Sequence, residues 1–365
     1  MGKNNLATRR QWAKLLPDFP WDSLAAAQEL AAAHPEGMID LSVGSPVDPV
    51  APGIALALAE HAQAPGYPPP GGSQELQQAI LLAAKRRFGI TAKVSALPVI
   101  GLKEAIASLP HFLGLGATHS VAIPELAYPT YEVGARLAGC QVLRGGKQAE
   151  LIFLNSPANP TGEVLSAAQM REYVALAHAN KAIVVSDECY LGLGWNDARP
   201  PLSILHPDIC GNDPTGLIAL HSLSKSANMA SYRAGWALGD PTLIAELGMI
   251  RKSCGLVVPG AIQAAILEAV ADDYPEAAQK SVYAQRRAQL LSTLFKAGFQ
   301  IDSSDGGLYI WTTRGEPAMD TVADLAAQGI LVAPGTFYGP AGEQHIRVSL
   351  TATNDDVRAL ADRLN

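Results

Sequence analysis

Short apolar runs alternate along the chain with amphipathic segments, and most of the runs stop at a polar or glycine-rich stretch. Four examples are SVAIPELAYP, LIFLNSPANPTG, AIVVSDECY and GLIALHSLSK. Strands that are buried on both faces of a parallel sheet are almost continuously apolar, whereas strands with one exposed face alternate apolar and polar residues. The pattern therefore predicts an α/β fold with a large, mostly parallel mixed sheet flanked by helices.

Two segments between the runs have the periodicity and the end signals of helices. Residues 75–89 finish on a basic turn, KRR, where positive charge interacts favourably with the helix dipole. Residues 167–180 follow Ser166, and serine commonly caps the first turn of a helix. We predict that such helices connect the strands.

The pattern changes after about residue 255, which predicts a second, smaller α+β unit. A helical region over 261–297, interrupted by Pro275, precedes short alternating strands such as LYIWTT and HIRVSL. The amino end is too short to fold alone and is expected to pack on the smaller unit. The predicted parts are an N-terminal arm and helix at 1–40, a large domain at 41–255 and a small C-terminal domain at 256–365.

The composition is that of a folded protein and shows no sign of a polyanionic partner. Of the 365 residues, 48% are hydrophobic and 17% are charged, and the net charge is -7. No Lys- or Arg-rich stripe occurs in the sequence. A chain of this kind is not expected to bind nucleic acid or an anionic membrane surface.

The spacing of the cysteines and the length of the apolar runs indicate in which cell compartment the protein is expected. The four cysteines lie far apart without a CxxC pair, which argues against a disulfide framework or a metal site. The amino end lacks the apolar core of a signal peptide, and no run of about 18 apolar residues occurs. We expect a soluble cytoplasmic protein without a bound metal.

Polar side chains follow several of the predicted strands at the point where each strand ends. In open α/β sheets, ligands bind just beyond the carboxyl ends of the strands. If the strands are neighbours, one pocket receives a carboxylate, amides, phenols, hydroxyls and an amine. The residues at these strand ends are Glu125, Tyr128, Tyr131, Asn155, Asn159, Asp187, Tyr190, His221, Ser222, Ser224 and Lys225.

Taken singly, three of these residues have ordinary explanations. Asp187 could cap a helix, Tyr190 could be a packing residue, and Lys225 could be a solvated surface charge. Together they follow apolar strands and are expected to be partly desolvated, where unpaired charges are costly. Pyridoxal 5'-phosphate (PLP) is a ligand that uses all three. Its aldehyde needs an amine for a Schiff base, which Lys225 offers, and its ring nitrogen needs a carboxylate, which Asp187 offers. Tyr190 and Asn159 are candidate donors to the ring 3-oxygen.

A phosphate group needs backbone N–H groups and a cation, and two segments offer them. Ser222, Ser224 and Arg233 lie close in sequence to the candidate lysine. The segment VIGLKEAIASL places a glycine before a predicted helix, so the amides of Leu102 and Lys103 lie at its positive end. Neither GxxxxGKS/T nor GxGxxG occurs, so Lys103 is not the lysine of a nucleotide-binding phosphate loop.

Three motifs are typical of one enzyme family. NPTG at 159–162, DECY at 187–190 and SLSKSANMASYRAGW at 222–236 closely resemble those of fold-type I, class I/II PLP-dependent aminotransferases, and the similarity extends from DLSVGSPVDP to HIRVSL. The resemblance implies the fold-type I large domain with a smaller α+β domain, and PLP as the cofactor. It also implies a homodimer with active sites at the subunit interface.

The resemblance also implies roles for individual residues. It implies that Tyr67 reaches the phosphate of the partner's cofactor and that Tyr128 stacks on the pyridine ring. It implies that Arg347 binds the substrate α-carboxylate, with Asn159 and a backbone N–H of Gly44. The alternation in HIRVSL alone leaves two interpretations of Arg347, a solvated strand residue or a guanidinium placed for two-point carboxylate binding.

The whole chain resembles the actinobacterial type of N-succinyl-L,L-diaminopimelate aminotransferase, on stretches such as LPDFPWDSL, APGYP and PELAYPTYEVGARLAGC. The implied reaction is ping-pong transfer of an amino group from N-succinyl-L,L-diaminopimelate to 2-oxoglutarate in lysine biosynthesis. In it, Lys225 moves the proton of the substrate Cα and Asp187 keeps the ring nitrogen protonated. The alternatives are an aminotransferase for aspartate, alanine or acetylornithine and a PLP-dependent carbon–sulfur β-lyase, because the same residues serve those reactions.

Overall fold

Seven strands form the largest sheet in the described part of the protein, and their order decides which residues meet at its edge. The computed structural model describes Lys14, residues 16–17 and residues 20–364. The strands are β1 (Ile39–Asp40), β2 (Ser95–Val99), β3 (Ser120–Ile123), β4 (Gln141–Arg144), β5 (Leu151–Asn155), β6 (Ile183–Asp187), β7 (Leu217–Ser222), β8 (Gly235–Gly239), β9 (Gln300–Ser303), β10 (Tyr309–Thr313), β11 (Ile330–Leu331), β12 (Ala333–Pro334) and β13 (Ile346–Ser349).

The seven-stranded sheet has the order β2-β8-β7-β6-β5-β3-β4. Neighbouring strands are parallel except at β8, which runs antiparallel to both β2 and β7. Nearly every residue of β5, β6 and β7 is buried, as expected for strands that are covered on both faces. The predicted α/β class with a mostly parallel mixed sheet is confirmed.

Helices cover both faces of this sheet. The helices of the described part of the chain are α1 (Ala25–Ala32), α2 (Pro52–Glu60), α3 (Gln74–Phe88), α4 (Leu102–Phe112), α5 (Thr130–Ala138), α6 (Ala167–Asn180), α7 (Pro207–Cys210), α8 (Pro241–Ser253), α9 (Gly260–Ala271), α10 (Tyr274–Lys296), α11 (Ala318–Ala327) and α12 (Asn354–Arg363). Ile152 and Leu154 of β5 pack with α3, α6 and α9, whereas Leu151 and Phe153 pack with α4, α5 and α8. Among the described helices, none has the length and apolar character needed to cross a membrane.

Both helices that the sequence predicts between strands begin and end on local signals. The helix predicted at 75–89 is α3, which starts after the Ser73 cap and stops at Gly89, whose φ of 65° is left-handed. The helix predicted at 167–180 is α6, and Ser166 forms a capping box with the residue three positions later. These ends satisfy backbone groups that would otherwise lack partners.

A second, antiparallel sheet has the order β12-β13-β10-β9 and contains both predicted strands of the carboxy-terminal part. LYIWTT includes β10, and HIRVSL includes β13. The helical region predicted over 261–297 is two helices, α9 and α10, which separate at Asp272 and Asp273. Pro275 lies in the first turn of α10 and does not interrupt a helix, because its missing N–H would have no helical partner there.

The amino-terminal segment packs against elements of the carboxy-terminal part. Strand β1 pairs in parallel with β11, and Ala31 of α1 packs with Ala326 and Leu331. Residues 1–13, 15 and 18–19 of the predicted arm lie outside the described residues. The domain boundaries near residues 40 and 255 stay predictions.

The segment after β1 is bonded to several elements, and Asp48 is its strongest ionic contact. Asp48 accepts hydrogen bonds of 2.7 Å from both Nη atoms of Arg286 on α10. Gln279 donates to the same carboxylate at 2.8 Å. Burial alone would raise the pKa of Asp48, but these hydrogen bonds hold it below the ordinary 3.8.

Replacing Asp48 with Asn is expected to lower the free energy of unfolding by about 2 kcal/mol, since Arg286 would keep a buried charge without its carboxylate. The measurement is the urea midpoint, followed by circular dichroism at neutral pH. The folded-state pKa of Asp48 is depressed, so its contribution is complete above the ordinary carboxyl pKa and is lost as the pH falls through the folded value. The difference between the two proteins should therefore shrink in acid.

Arg358→Ala is the control for this comparison, because it removes one partner of an exposed pair with Asp355 on α12. Exposed pairs contribute little, so its midpoint is expected to stay where it is. Equal midpoint shifts in the two variants would contradict the importance of the Asp48–Arg286 pair.

Candidate active site

Asn155 and Asp187 lie side by side where β5 and β6 end, because the parallel register pairs these two residues. Asn155 Nδ2 donates to the backbone carbonyl of Asp187 at 2.9 Å. Asn155 Oδ1 accepts from the backbone N–H of Asn159 at 2.7 Å. The side chain of Asn155 therefore holds the start of NPTG at the carboxyl edge of the sheet.

The carboxylate of Asp187 is buried and is held by neutral donors. Tyr131 Oη donates to Oδ2 at 2.8 Å, and the backbone N–H of Cys189 donates to Oδ1 at 3.2 Å. Burial raises the pKa of Asp187, and both hydrogen bonds act in the opposite direction. A buried carboxylate in these surroundings is stabilised by a cationic partner.

Lys225 follows β7 by three residues, and its Nζ donates to the backbone carbonyl of Gly44. Burial lowers the pKa of Lys225 to about 8. The positive charges of Arg347 and Arg233 also lower this pKa. A substantial fraction of the amine is therefore neutral, and hence nucleophilic, near neutral pH.

The start of α4 meets Arg233 at a glycine. A Cβ on Gly101, whose φ is 87°, would lie 2.3 Å from Arg233 Nη2, so only glycine permits this approach. Leu102 packs on Gly235, where an added Cβ would lie 2.4 Å from Leu102 Cδ1, and Gly235 pairs with Ser222. The helix start and a guanidinium therefore converge, an arrangement suited to an anion.

The other residues predicted to bind the cofactor do not share one location, and each has its own surroundings. The backbone N–H of Ser224 donates to Ser222 Oγ at 3.1 Å, and Lys103 lies in the first turn of α4 with an exposed side chain. The Tyr128 ring stands edge-on to Tyr131 at 5.7 Å, and burial raises the pKa of Tyr128 to about 12. Tyr67 is fully exposed, so this chain does not bring it to its own site.

Arg347 is buried, with 2% of its surface exposed. Its Nη1 donates to Asn159 Oδ1 at 2.8 Å, and its Nη2 donates to the backbone carbonyl of Ser42. Its Nε has no hydrogen-bond partner within the described part of the chain. The interpretation of Arg347 as a solvated strand residue is wrong, because β13 lies inside its sheet and is covered by buried side chains.

Two tyrosines that the sequence motifs do not include surround this guanidinium. Arg347 Cζ lies 3.9 Å from the ring centroid of Tyr309 and 5.0 Å from that of Tyr338. Tyr309 Oη also lies 3.2 Å from Tyr190 Oη. The sequence signal for Tyr309 is only the alternation of LYIWTT, and the pairing of β10 with β13 that brings it to Arg347 is not visible there.

The family model for aminotransferase class I and II matches residues 36–364. The chain belongs to this family. Class I and II aminotransferases depend on PLP, so the family and the cofactor predicted from the motifs are both confirmed.

Two of three curated relatives of this aminotransferase are named for a substrate, and these two substrates differ. A probable aminotransferase of Mycobacterium tuberculosis is 56% identical over 96% of this chain and 85% of its own length. The 4-dedimethylamino-4-oxo-anhydrotetracycline transaminase OxyQ of Streptomyces rimosus is 47% identical over 96% of this chain and 99% of its own. An LL-diaminopimelate aminotransferase of Dehalococcoides mccartyi is 30% identical over 94% of each chain.

Solved aminotransferase structures share the fold over nearly the whole chain. The substrate-bound BacF structure from Bacillus subtilis aligns with a TM-score of 0.87 and 25% identity, covering 98% of this chain and 96% of that one. An aminotransferase from Neisseria meningitidis aligns with a TM-score of 0.86 and 26% identity, covering 96% and 98%. The predicted fold-type I architecture is confirmed.

The residues at the sheet edge of this aminotransferase fit PLP. Asp187 is a buried carboxylate whose described donors are neutral, and the protonated ring nitrogen of bound PLP would supply the missing positive charge. Lys225 is an amine with a lowered pKa that can react with an aldehyde. The close approach of Gly101 and Arg233 presents backbone N–H groups and a guanidinium to a phosphate.

In the cofactor-free aminotransferase, Lys225 is expected to react with an acylating reagent in proportion to its neutral fraction. Its labelling rate should rise with pH and level off above about pH 8, the value to which burial lowers its pKa. Mass spectrometry of the Lys225 peptide after brief acetylation over a pH series measures this midpoint.

Arg347→Gln should move the midpoint to higher pH, because it removes a positive charge that lowers the pKa of Lys225. Arg358→Gln makes the same chemical change at an exposed site and should leave the midpoint where it is. A midpoint near the value of about 10.4 for lysine in water would contradict the burial of this amine.

Proposed function

We propose that this aminotransferase moves an amino group from N-succinyl-L,L-diaminopimelate to 2-oxoglutarate by a ping-pong mechanism. The observation that carries the proposal is a buried guanidinium close to a partly buried amine. Arg347 donates to the carbonyl of Ser42, and Lys225 donates to the carbonyl of Gly44, two residues along the same segment. An amino acid and a 2-oxo acid both carry an α-carboxylate, which such a guanidinium binds through paired hydrogen bonds.

Arg347 has donor groups left for that carboxylate. A guanidinium has five N–H donors, and its described side-chain and backbone acceptors are Asn159 Oδ1 and the carbonyl of Ser42. Its Nε lacks a hydrogen-bond partner within the described residues. We assign the substrate α-carboxylate to the remaining N–H groups, with Asn159 and the backbone N–H of Gly44 completing the site.

Lys225 is the proposed proton carrier. When bound, PLP withdraws electrons from the substrate α-carbon. Lys225 Nζ takes the proton from this carbon and passes it to the C4' carbon of the cofactor, and the second half-reaction runs this transfer in reverse. A pKa of about 8 suits both transfers near neutral pH. Asp187 pairs with the protonated ring nitrogen, and Tyr190 and Asn159 donate to the ring 3-oxygen.

The cofactor phosphate has a proposed site at the start of α4. Backbone N–H groups there lie at the positive end of a helix, and a guanidinium approaches them. The proposed phosphate ligands are Leu102, Lys103, Ser222, Ser224 and Arg233.

We further propose a homodimer whose active sites lie at the subunit interface. Tyr67 is a large aromatic side chain that is fully exposed in the connection between α2 and α3. A second copy of the chain would cover it and receive its hydroxyl at the cofactor phosphate. Tyr128 is proposed to stack on the pyridine ring within its own subunit.

The named substrates of the relatives support two candidates. The D. mccartyi relative is named for LL-diaminopimelate, which is the succinylated donor without its succinyl group. OxyQ is named for a tetracycline intermediate with a ketone on a polycyclic skeleton, and its identity to this chain extends over 99% of its length. The second candidate is therefore amination of a polycyclic ketone, which lacks an α-carboxylate.

Lys225→Ala is expected to lower turnover by about 10⁴-fold or more, because no other group at the site is placed to move the proton. The variant should still retain PLP through its phosphate and ring contacts. Turnover is measured by release of the 2-oxo acid product, and retention by absorbance after dialysis. Lys252→Ala, at an exposed position on α8, is the control with unchanged activity. Full transamination by Lys225→Ala would refute the assignment.

Single-turnover formation of 2-oxo acid from a panel of donors tests the substrate. N-succinyl-L,L-diaminopimelate is expected to react faster than acetylornithine, aspartate, alanine and aromatic amino acids. A tenfold advantage for aspartate or alanine, about 1.4 kcal/mol in transition-state binding, would overturn the proposed donor. Release of pyruvate and ammonia from a sulfur-containing amino acid would indicate the β-lyase instead.

Arg347→Gln separates the proposed function from amination of a polycyclic ketone. With 2-oxoglutarate as acceptor, both half-reactions should slow by about 10²-fold or more, because each substrate loses its charged partner. With a ketone acceptor, only the half-reaction of the amino acid donor should slow. If Arg347→Gln leaves the rate of the acceptor half-reaction unchanged, the acceptor has no α-carboxylate for Arg347 to bind. This result would favour the polycyclic ketone.

A further inference from the structure

Tyr309 contacts three groups of the candidate site, although no sequence motif includes it. It begins β10 and is buried, with 3% of its surface exposed. Its ring lies 3.9 Å from Arg347 Cζ, and its Oη lies 3.2 Å from Tyr190 Oη. A Cβ on Gly44 would lie 2.2 Å from the same Oη, so the hydroxyl packs directly on that backbone.

The geometry holds the two tyrosine hydroxyls together. The rings of Tyr190 and Tyr309 meet edge to face, with 5.8 Å between their centroids and 82° between their planes. Arg347 covers the face of the Tyr309 ring, and Gly44 limits movement of its hydroxyl. The contact between the hydroxyls is therefore a built hydrogen bond between well-packed side chains.

Only one direction of this hydrogen bond is compatible with a cofactor bound to Tyr190. Burial raises the pKa of Tyr190 well above its ordinary value, so the phenol keeps its single proton. If that proton is donated to the 3-oxygen of PLP, Tyr190 Oη can only accept from another donor. Tyr309 Oη is the hydroxyl in position to donate.

We propose that Tyr309 is a positioning residue that donates a hydrogen bond to Tyr190 and so strengthens the bond from Tyr190 to the 3-oxygen of PLP. The inference rests on the proposed contact between Tyr190 and the cofactor. Hydrogen bonds in a chain polarise one another, so a donor to Tyr190 makes its own proton a better donor. Tyr309 thereby acts on the cofactor without touching it.

The proposed effect of Tyr309 is a change in the pKa of the proton that the linkage of Lys225 to PLP shares with the 3-oxygen. While the linkage of Lys225 to PLP carries a proton, the 3-oxygen shares that proton. After the proton leaves, only donors from the protein stabilise the negative charge on the 3-oxygen. The pair of tyrosines therefore favours the deprotonated linkage and lowers the pH at which it forms.

Tyr309→Phe removes the hydroxyl but keeps the ring beside Arg347. In the holoenzyme without substrate, a pH titration of the cofactor's visible absorption should show a midpoint raised by about 0.2 to 0.5 pH unit, because one further donor strengthens the charged hydrogen bond from Tyr190 by a fraction of its energy. Tyr338→Phe is the matched control, since it removes a buried hydroxyl near Arg347 that has no partner among the described residues. Its midpoint should be unchanged.

The Tyr190→Phe enzyme and the double variant decide how Tyr309 acts. Tyr190→Phe should raise the midpoint further than Tyr309→Phe, and adding Tyr309→Phe to it should cause no additional shift. If the midpoint of the titration shifts in Tyr190→Phe but not in Tyr309→Phe, only the role of Tyr309 is overturned. Additive shifts would also overturn it, because they require an effect that bypasses Tyr190.

An unchanged midpoint in Tyr190→Phe would instead overturn the contact between Tyr190 and PLP, and the inference with it. The titration contains no amino donor or acceptor. Its outcome is therefore independent of whether N-succinyl-L,L-diaminopimelate is the substrate.

Discussion

A buried guanidinium and a partly buried amine bind one short backbone segment, and the chemistry of the site depends on this constraint. Lys225 donates to the carbonyl of Gly44, and Arg347 donates to the carbonyl of Ser42. Positive charges that are close together and desolvated destabilise each other, which contributes to the lowered pKa of Lys225. The same constraint favours ligands with negative charge, because an anion removes part of the repulsion. A reactive amine and an anion site are thus two consequences of one arrangement.

The segment can hold both cations because it is bonded to elements on either side of it. The carbonyl of Leu41 accepts from the backbone N–H of Ser349 at the end of β13, and Asp48 forms the ion pair with Arg286 of α10. Tyr309 packs against Gly44 from β10. Movement of the smaller sheet would therefore be transmitted to the carbonyls that position the amine and the guanidinium.

Much of the fold and part of the site follow from local patterns. Continuous apolar runs identify β5 to β7, and Ser166 marks the start of α6, because strand burial and helix capping depend on neighbouring residues. The sequence predicts a helix interruption at Pro275, because a proline in the first turn of a helix and a proline at a break look alike in sequence. The alternation in HIRVSL likewise does not show whether Arg347 is a solvated residue or is placed to bind a carboxylate, since the sequence of one strand does not show what covers its faces.

The sequence by itself determined the family and the cofactor, and it predicted Asp187 and Lys225 as the groups that bind and react with that cofactor. Asp187 ends β6 and Lys225 lies three residues after β7, and the parallel register of the sheet brings the ends of these strands to one edge. Only the tertiary structure decided the contacts of Arg347 with Asn159 and of Tyr309 with Tyr190, which join residues 188 and 119 positions apart. These contacts depend on how the smaller sheet packs against the larger one, and long-range packing has no signature in the pattern of either strand alone.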